Sequence, residues 1–137
     1  MILAKNQKLL IASKPENIVL VDKLIDDVCE LFDINETIYG NILVALTEAM
    51  NNAIQHGNSI NASKKIEVTF TAQDNVISFT VKDEGLGFDY NNLPDPTLPS
   101  NIEKPTGRGV FLMRHLADKV SFEDNGTKVH LEFNLKK

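Results

Sequence analysis

The hydrophobic period of this chain changes once, and the change limits what it can fold into. Between Pro15 and Gly57 apolar residues recur three and four apart: Ile18, Val21, Leu24 or Ile25, Val28 and Phe32, then Ile42, Leu46, Ala49, Met50 and Ala53. That is the spacing of two amphipathic helices. From Ile66 onward the period is two. Ile66, Val68, Phe70 and Ala72 alternate with polar residues, and after Gln73-Asp74-Asn75 so do Ile77, Phe79 and Val81. Two helices followed by a strand hairpin predict helices packed on one face of a sheet.

Local signals set the boundaries. Ser13, Pro15 and Glu16 read as the start of a first helix running to about Phe32. Asn35 is the cap of a second helix, from Glu36 to about His56, with Gly57 as its stop. Lys8 to Ala12 is a short edge strand. Gly109 to about Ala117 is a third helix, and Val120 to Phe133 forms a second hairpin through Asp124-Asn125-Gly126. The fold class predicted is a two-layer α/β sandwich (α+β), with helices on one face of a mostly antiparallel mixed sheet. The chain, 1–137, reads as a single domain.

Between Gly85 and Pro105 the pattern breaks down. This stretch holds four of the five prolines, Pro94, Pro96, Pro99 and Pro105. A long irregular segment inside a compact domain is commonly a functional lid, and its expected extent is about 86–106.

Composition narrows the classes of function. A net charge of −5 argues against a broad surface for nucleic acid or anionic membrane. Cys29 is the only cysteine, so an intrachain disulfide is excluded. No apolar run approaches the roughly 18 residues of a spanning helix, and Met1 to Lys8 lacks the apolar core of a signal peptide. A cytoplasmic protein is the expectation.

Three constellations carry chemistry. Glu48 and Asn52 stand four apart, on one face of the second helix. A carboxylate beside a neutral amide suits Mg²⁺ and triphosphate work, because the amide oxygen is a hard, uncharged ligand and the carboxylate accepts protons. The alternative is a solvated face, since Asn41, Asn51 and Gln55 lie on that side. Two adjacent Asn residues inside a helix cost about half a kcal/mol each relative to Ala, which weighs against it. Next, Asp83 has the parity of Ile77, Phe79 and Val81, and therefore faces the core. A carboxylate there requires a donor, either the exocyclic amine of adenine or backbone N–H groups of its own turn. Gly85 and Gly87 permit close backbone approach. Last, Gly107, Arg108 and Gly109 lead into the third helix, as either a phosphate site or a glycine hinge.

In this order the three stretches, Glu48 to Gly57, Asp83 to Asp89 and Thr106 to Met113, resemble the N, G1 and G2 boxes of the GHKL ATPases. The Gly-Arg-Gly-Val-Phe-Leu-Met-Arg-His-Leu-Ala-Asp run looks most like the anti-sigma serine kinases. The resemblance spans about Ser13 to Phe133 and implies a Bergerat-type ATP-binding fold. It implies Asn52 as Mg²⁺ ligand, Glu48 as general base and Asp83 as the adenine-binding residue. Gly85 and Gly87 would shape the pocket, and Gly107 and Gly109 would contact phosphate, with Arg108 nearby. Thr127 would join the adenine network, and His56 and Gly57 would complete the first box. The histidine kinases' dimerisation helix pair and the longer ATPases' transducer domain are not seen, which favours the anti-sigma branch. That branch implies ATP and Mg²⁺ as cofactors and two partners, a sigma factor and a STAS-like anti-anti-sigma protein phosphorylated on serine. The alternative is a non-catalytic, nucleotide-gated binding module of the same fold. A homodimer is left open.

Overall fold

The computed structural model describes residues 6–57, 61, 63–85 and 105–135. Its elements in chain order are β1 (Asn6–Ala12), α1 (Ile18–Leu31), α2 (Glu36–Asn51), β2 (Lys65–Gln73), β3 (Val76–Lys82), α3 (Pro105–Leu116), β4 (Lys119–Glu123) and β5 (Lys128–Asn134). The sheet order is β1-β2-β3-β5-β4.

Every pairing among the described residues is antiparallel, so the expected mixed sheet is corrected. Connectivity explains this. Two helices separate β1 from β2 and return the chain in the opposite sense. One helix follows β3, so β4 runs parallel to it, but β5 lies between them. Two tight turns close the hairpins. Asp74 and Asn75 both take positive φ, as do Asp124, Asn125 and Gly126, residue types that tolerate the left-handed region.

Strand parity decides the layers. Ile66, Val68 and Phe70 of β2, Ile77, Phe79 and Val81 of β3, and Val129, Leu131 and Phe133 of β5 are all buried. They meet Val21, Leu24, Ile25 and Val28 of α1 and Ile42, Leu46, Ala49 and Met50 of α2. Phe79 sits at the centre, with its ring centroid 5.5 Å from Phe70 and 6.3 Å from Phe133. The opposite face of the sheet is polar.

Helix starts differ in how well local sequence foretold them. Asn35 caps α2 as expected, its Oδ1 accepting the Ile38 N–H at 2.9 Å. Asn35→Ala should therefore cost about 1 kcal/mol. Urea unfolding would show this as a lower midpoint at unchanged slope. Ser13 is not a cap. It is fully buried, its N–H donates to the Lys64 carbonyl, and its Oγ has no hydrogen-bond partner among the described residues. A short 3₁₀ turn, Pro15–Asn17, precedes α1, and its cap position is Lys14. Anchoring of the β1 end to the segment before β2 outweighs the local capping preference. No helix among the described residues is long and apolar enough to cross a membrane.

Candidate functional site

The second helix does not end as a simple α-helix. Regular geometry runs to Asn51, and Asn52–Gly57 then forms a π-helical turn. Such wide turns concentrate at functional sites because they re-aim side chains. The sequence predicted unbroken helix to His56. The widening starts at Asn52, the second of the two adjacent Asn residues. Its backbone N–H is shared between the Ala49 and Glu48 carbonyls. Gly57 stands at the end of this turn, as expected for a helix stop.

Glu48 and Asn52 are half-buried, not fully solvated. Asn52 Nδ2 is enclosed and has no hydrogen-bond partner among the described residues. Leaving a buried amide donor unpaired costs about 1–3 kcal/mol. Native interiors satisfy most such groups, and exceptions point to a missing partner or a functional role.

Helix α3 closes over this pair. It begins at Pro105, four residues before the expected start at Gly109. Proline at a first helical position is favourable, because the N–H it lacks would be unpaired there anyway. Thr106 and Gly107 thus lie in the first turn of α3, where backbone N–H groups have no intrahelical acceptor, and Arg108 follows them. Gly109 is one step further in. A Cβ placed on it would lie 3.1 Å from Glu48 Oε2 and 3.3 and 3.4 Å from Asn52 Nδ2 and Oδ1. The glycine permits a contact that any side chain would crowd. Gly87 and residues 86–104 of the expected lid lie outside the described residues.

Asp83 follows directly on β3 and is half-buried. Its Oδ1 accepts the Gly85 N–H at 2.8 Å, so the turn takes up one carboxylate oxygen. Its backbone N–H donates to the Thr127 carbonyl at 2.9 Å. Burial pushes the Asp83 carboxyl above the usual aspartate range, and the Gly85 N–H and the Lys64 charge partly offset this. Thr127 stands just before β5, half-buried, with its hydroxyl donating to the Asp124 carbonyl at 2.8 Å. Asp83 and Thr127 are therefore neighbours across one rung. Sequence reasoning missed Lys64. Nothing in its local pattern signals the approach to Asp83, which depends on how the segment before β2 is tied to β1 through Ser13.

The structure thus builds two groupings: Glu48, Asn52 and Gly109 between α2 and α3, and Asp83, Gly85 and Thr127 at one end of the β3–β5 pair. A model of the histidine kinase-like ATPase domain matches residues 11–133 of the chain. The chain belongs to the histidine kinase-like ATPase family. Within it, the chain is similar to the anti-sigma F factor of Bacillus subtilis (strain 168), 33% identical over 103 residues, which are 70% of this chain and 69% of the relative. It is also similar to the serine-protein kinase RsbW of Oceanobacillus iheyensis, 26% identical over 120 residues, 83% and 76% of the two chains. RsbW of Bacillus cereus (strain AH820) is 31% identical over 93 residues, 63% and 58%. These relatives put the chain in the anti-sigma kinase branch of the family.

Proposed function

We propose that this domain binds ATP with Mg²⁺, holds a sigma factor inactive, and phosphorylates a serine of an anti-anti-sigma protein in the cytoplasm. The observation that carries the reading is the meeting of Gly109 with Glu48 and with Asn52, whose Nδ2 lacks a partner among the described residues. The residues fit the group they would hold: an amide with unspent hydrogen-bonding capacity, a carboxylate beside it, and a helix whose first turn supplies free N–H groups. Asn52 would ligate Mg²⁺ through Oδ1, while its Nδ2 would donate to a phosphate oxygen; Mg²⁺ when bound neutralises phosphate charge in transfer. Gly107 would offer a first-turn backbone donor to phosphate, and Arg108 would add positive charge beside it.

Adenine would be held by Asp83. Gly85 occupies Oδ1 and fixes the carboxylate's orientation. Thr127, tied to the Asp83 backbone, would complete that end of the pocket. His56 and Gly57 close the π-helical turn and would set the reach of Asn52. The segment 86–104, ending where α3 begins at Pro105, would act as the lid.

In transfer, the acceptor serine Oγ forms a bond to the γ-phosphorus as the bond to ADP breaks. Glu48 takes the hydroxyl proton.

Asp83→Asn should weaken ATP binding on the order of tenfold, the lower end for a lost charge-assisted bond, since Gly85 already shares the carboxylate. Calorimetry on the folded variant and its parent measures this. Equal affinities would refute the adenine assignment. A parent that binds ATP yet transfers phosphate to no cognate partner would instead be a nucleotide-gated binding module.

A further inference from the structure

We propose a second anion site, for a phosphate-class dianion, on the polar face of the sheet between Lys82 and Lys128. It lies on the side away from the helices and does not depend on the nucleotide reading. Register places Lys82 of β3 directly opposite Lys128 of β5. Like charges facing each other across strands destabilise a sheet unless something neutralises them. Glu67 of β2 stands opposite Lys82 but is paired with Lys8, and the turn carboxylates reach the two lysines only at long range. Lys82 Nζ is 3.9 Å from Asp124 and Lys128 Nζ is 3.8 Å from Glu123, with both acidic side chains more than half exposed. Exposed pairs at such distances contribute little.

Between the two lysines the sheet is dished. Glu67, Thr69, Thr80, Lys82 and Lys128 line a depression of about 140 Å³. Thr69 and Thr80 are themselves cross-strand partners and share the lining of the hollow with the two lysines. Glu67 is the one carboxylate in the lining. Its Oε1 pairs with Lys8 Nζ at 2.8 Å, so its charge is already engaged from the β1 side. That pairing holds the Glu67 carboxyl below the usual range, with Lys82 and Lys128 adding to the effect. Two lysines and two threonines around a small hollow, with an ionised Glu67 paired to Lys8, leave a net positive lining that suits a tetrahedral oxyanion of charge −2. The hollow backs onto the Asp83–Thr127 rung, because Lys82 and Lys128 are the sequence neighbours of those residues and point the other way.

The test is an amide NMR titration of the nucleotide-free chain with sodium phosphate, with ionic strength held constant by chloride to cancel screening. Saturable shifts are expected at Thr69, Thr80, Lys82 and Lys128. Lys82→Gln and Lys128→Gln should each weaken binding about fivefold, the most an exposed charge contact usually gives. The double variant should abolish it, and Lys82→Arg should retain it. O-phosphoserine serves as a second probe. Matching shifts identify the ligand as a phosphomonoester, and shifts with phosphate alone restrict it to the free anion. Three outcomes overturn the proposal: no saturable shifts in this region, shifts confined to Asn52 and Gly109, or a folded double variant that titrates like its parent.

Discussion

Glu48→Gln is expected to leave ATP affinity within a small factor and to slow single-turnover phosphoryl transfer by about 10²–10⁴-fold, the usual contribution of a general base. The carboxylate is half-buried on α2, one helical turn before Asn52, with Oε2 turned toward Gly109 of α3. It therefore sits beside the proposed metal ligand without being part of the adenine grouping at Asp83. Glutamine has the same shape and still forms hydrogen bonds, so the fold and the contact with Gly109 should persist. What it cannot do at neutral pH is accept the serine proton. The measurement is transfer to the cognate acceptor at saturating ATP, with calorimetry on the same samples. Transfer at the parent's rate would remove Glu48 from the chemistry. A matching loss of ATP affinity would instead make it a binding residue.

Much of the fold could be read from pattern alone, because one-sided burial leaves a period. The nine alternating residues of β2, β3 and β5 are buried as parity required, and Asn35 caps α2 because its bond is made within four residues. The readings that failed depend on distant partners. Ser13 has the composition of a cap, but attachment to Lys64, some fifty residues away, places it in the interior. The sequence places the start of α3 at Gly109, after a stretch that includes Gly107, and glycine is a poor helix former. The helix nevertheless includes Gly107 and Gly109, since packing against α2 offsets their low propensity. The π-helical turn at Asn52 has no periodic signature, and a single widened turn shifts register without disturbing the apolar stripe. At the candidate site the residue types were legible and their proximity was not. Sequence separates Glu48 and Asn52 from Gly109 by more than fifty residues, and the three-dimensional contact joins them.

That contact makes Gly109→Ala the most informative single substitution in α3. Gly109 does not have the positive φ that demands glycine, so alanine is compatible with its backbone. By helix propensity alone the change should stabilise the protein by up to about 1 kcal/mol. The new methyl group, however, would stand 3.1 Å from Glu48 Oε2 and 3.3 Å from Asn52 Nδ2, closer than ordinary contact. The carboxylate end of Glu48 is the softest of these groups and should give way first, by a few tenths of an ångström or more. Stability and activity should then move apart. The melting temperature is expected to hold or rise slightly, while transfer falls by about 10²-fold, since small misplacements of reacting groups cost this much. Thermal unfolding and single-turnover transfer on the same preparation decide the matter. Parent-like transfer would mean that the Glu48 position tolerates displacement. A large drop in melting temperature would mean that the contact serves packing of α2 on α3 and not the geometry of transfer.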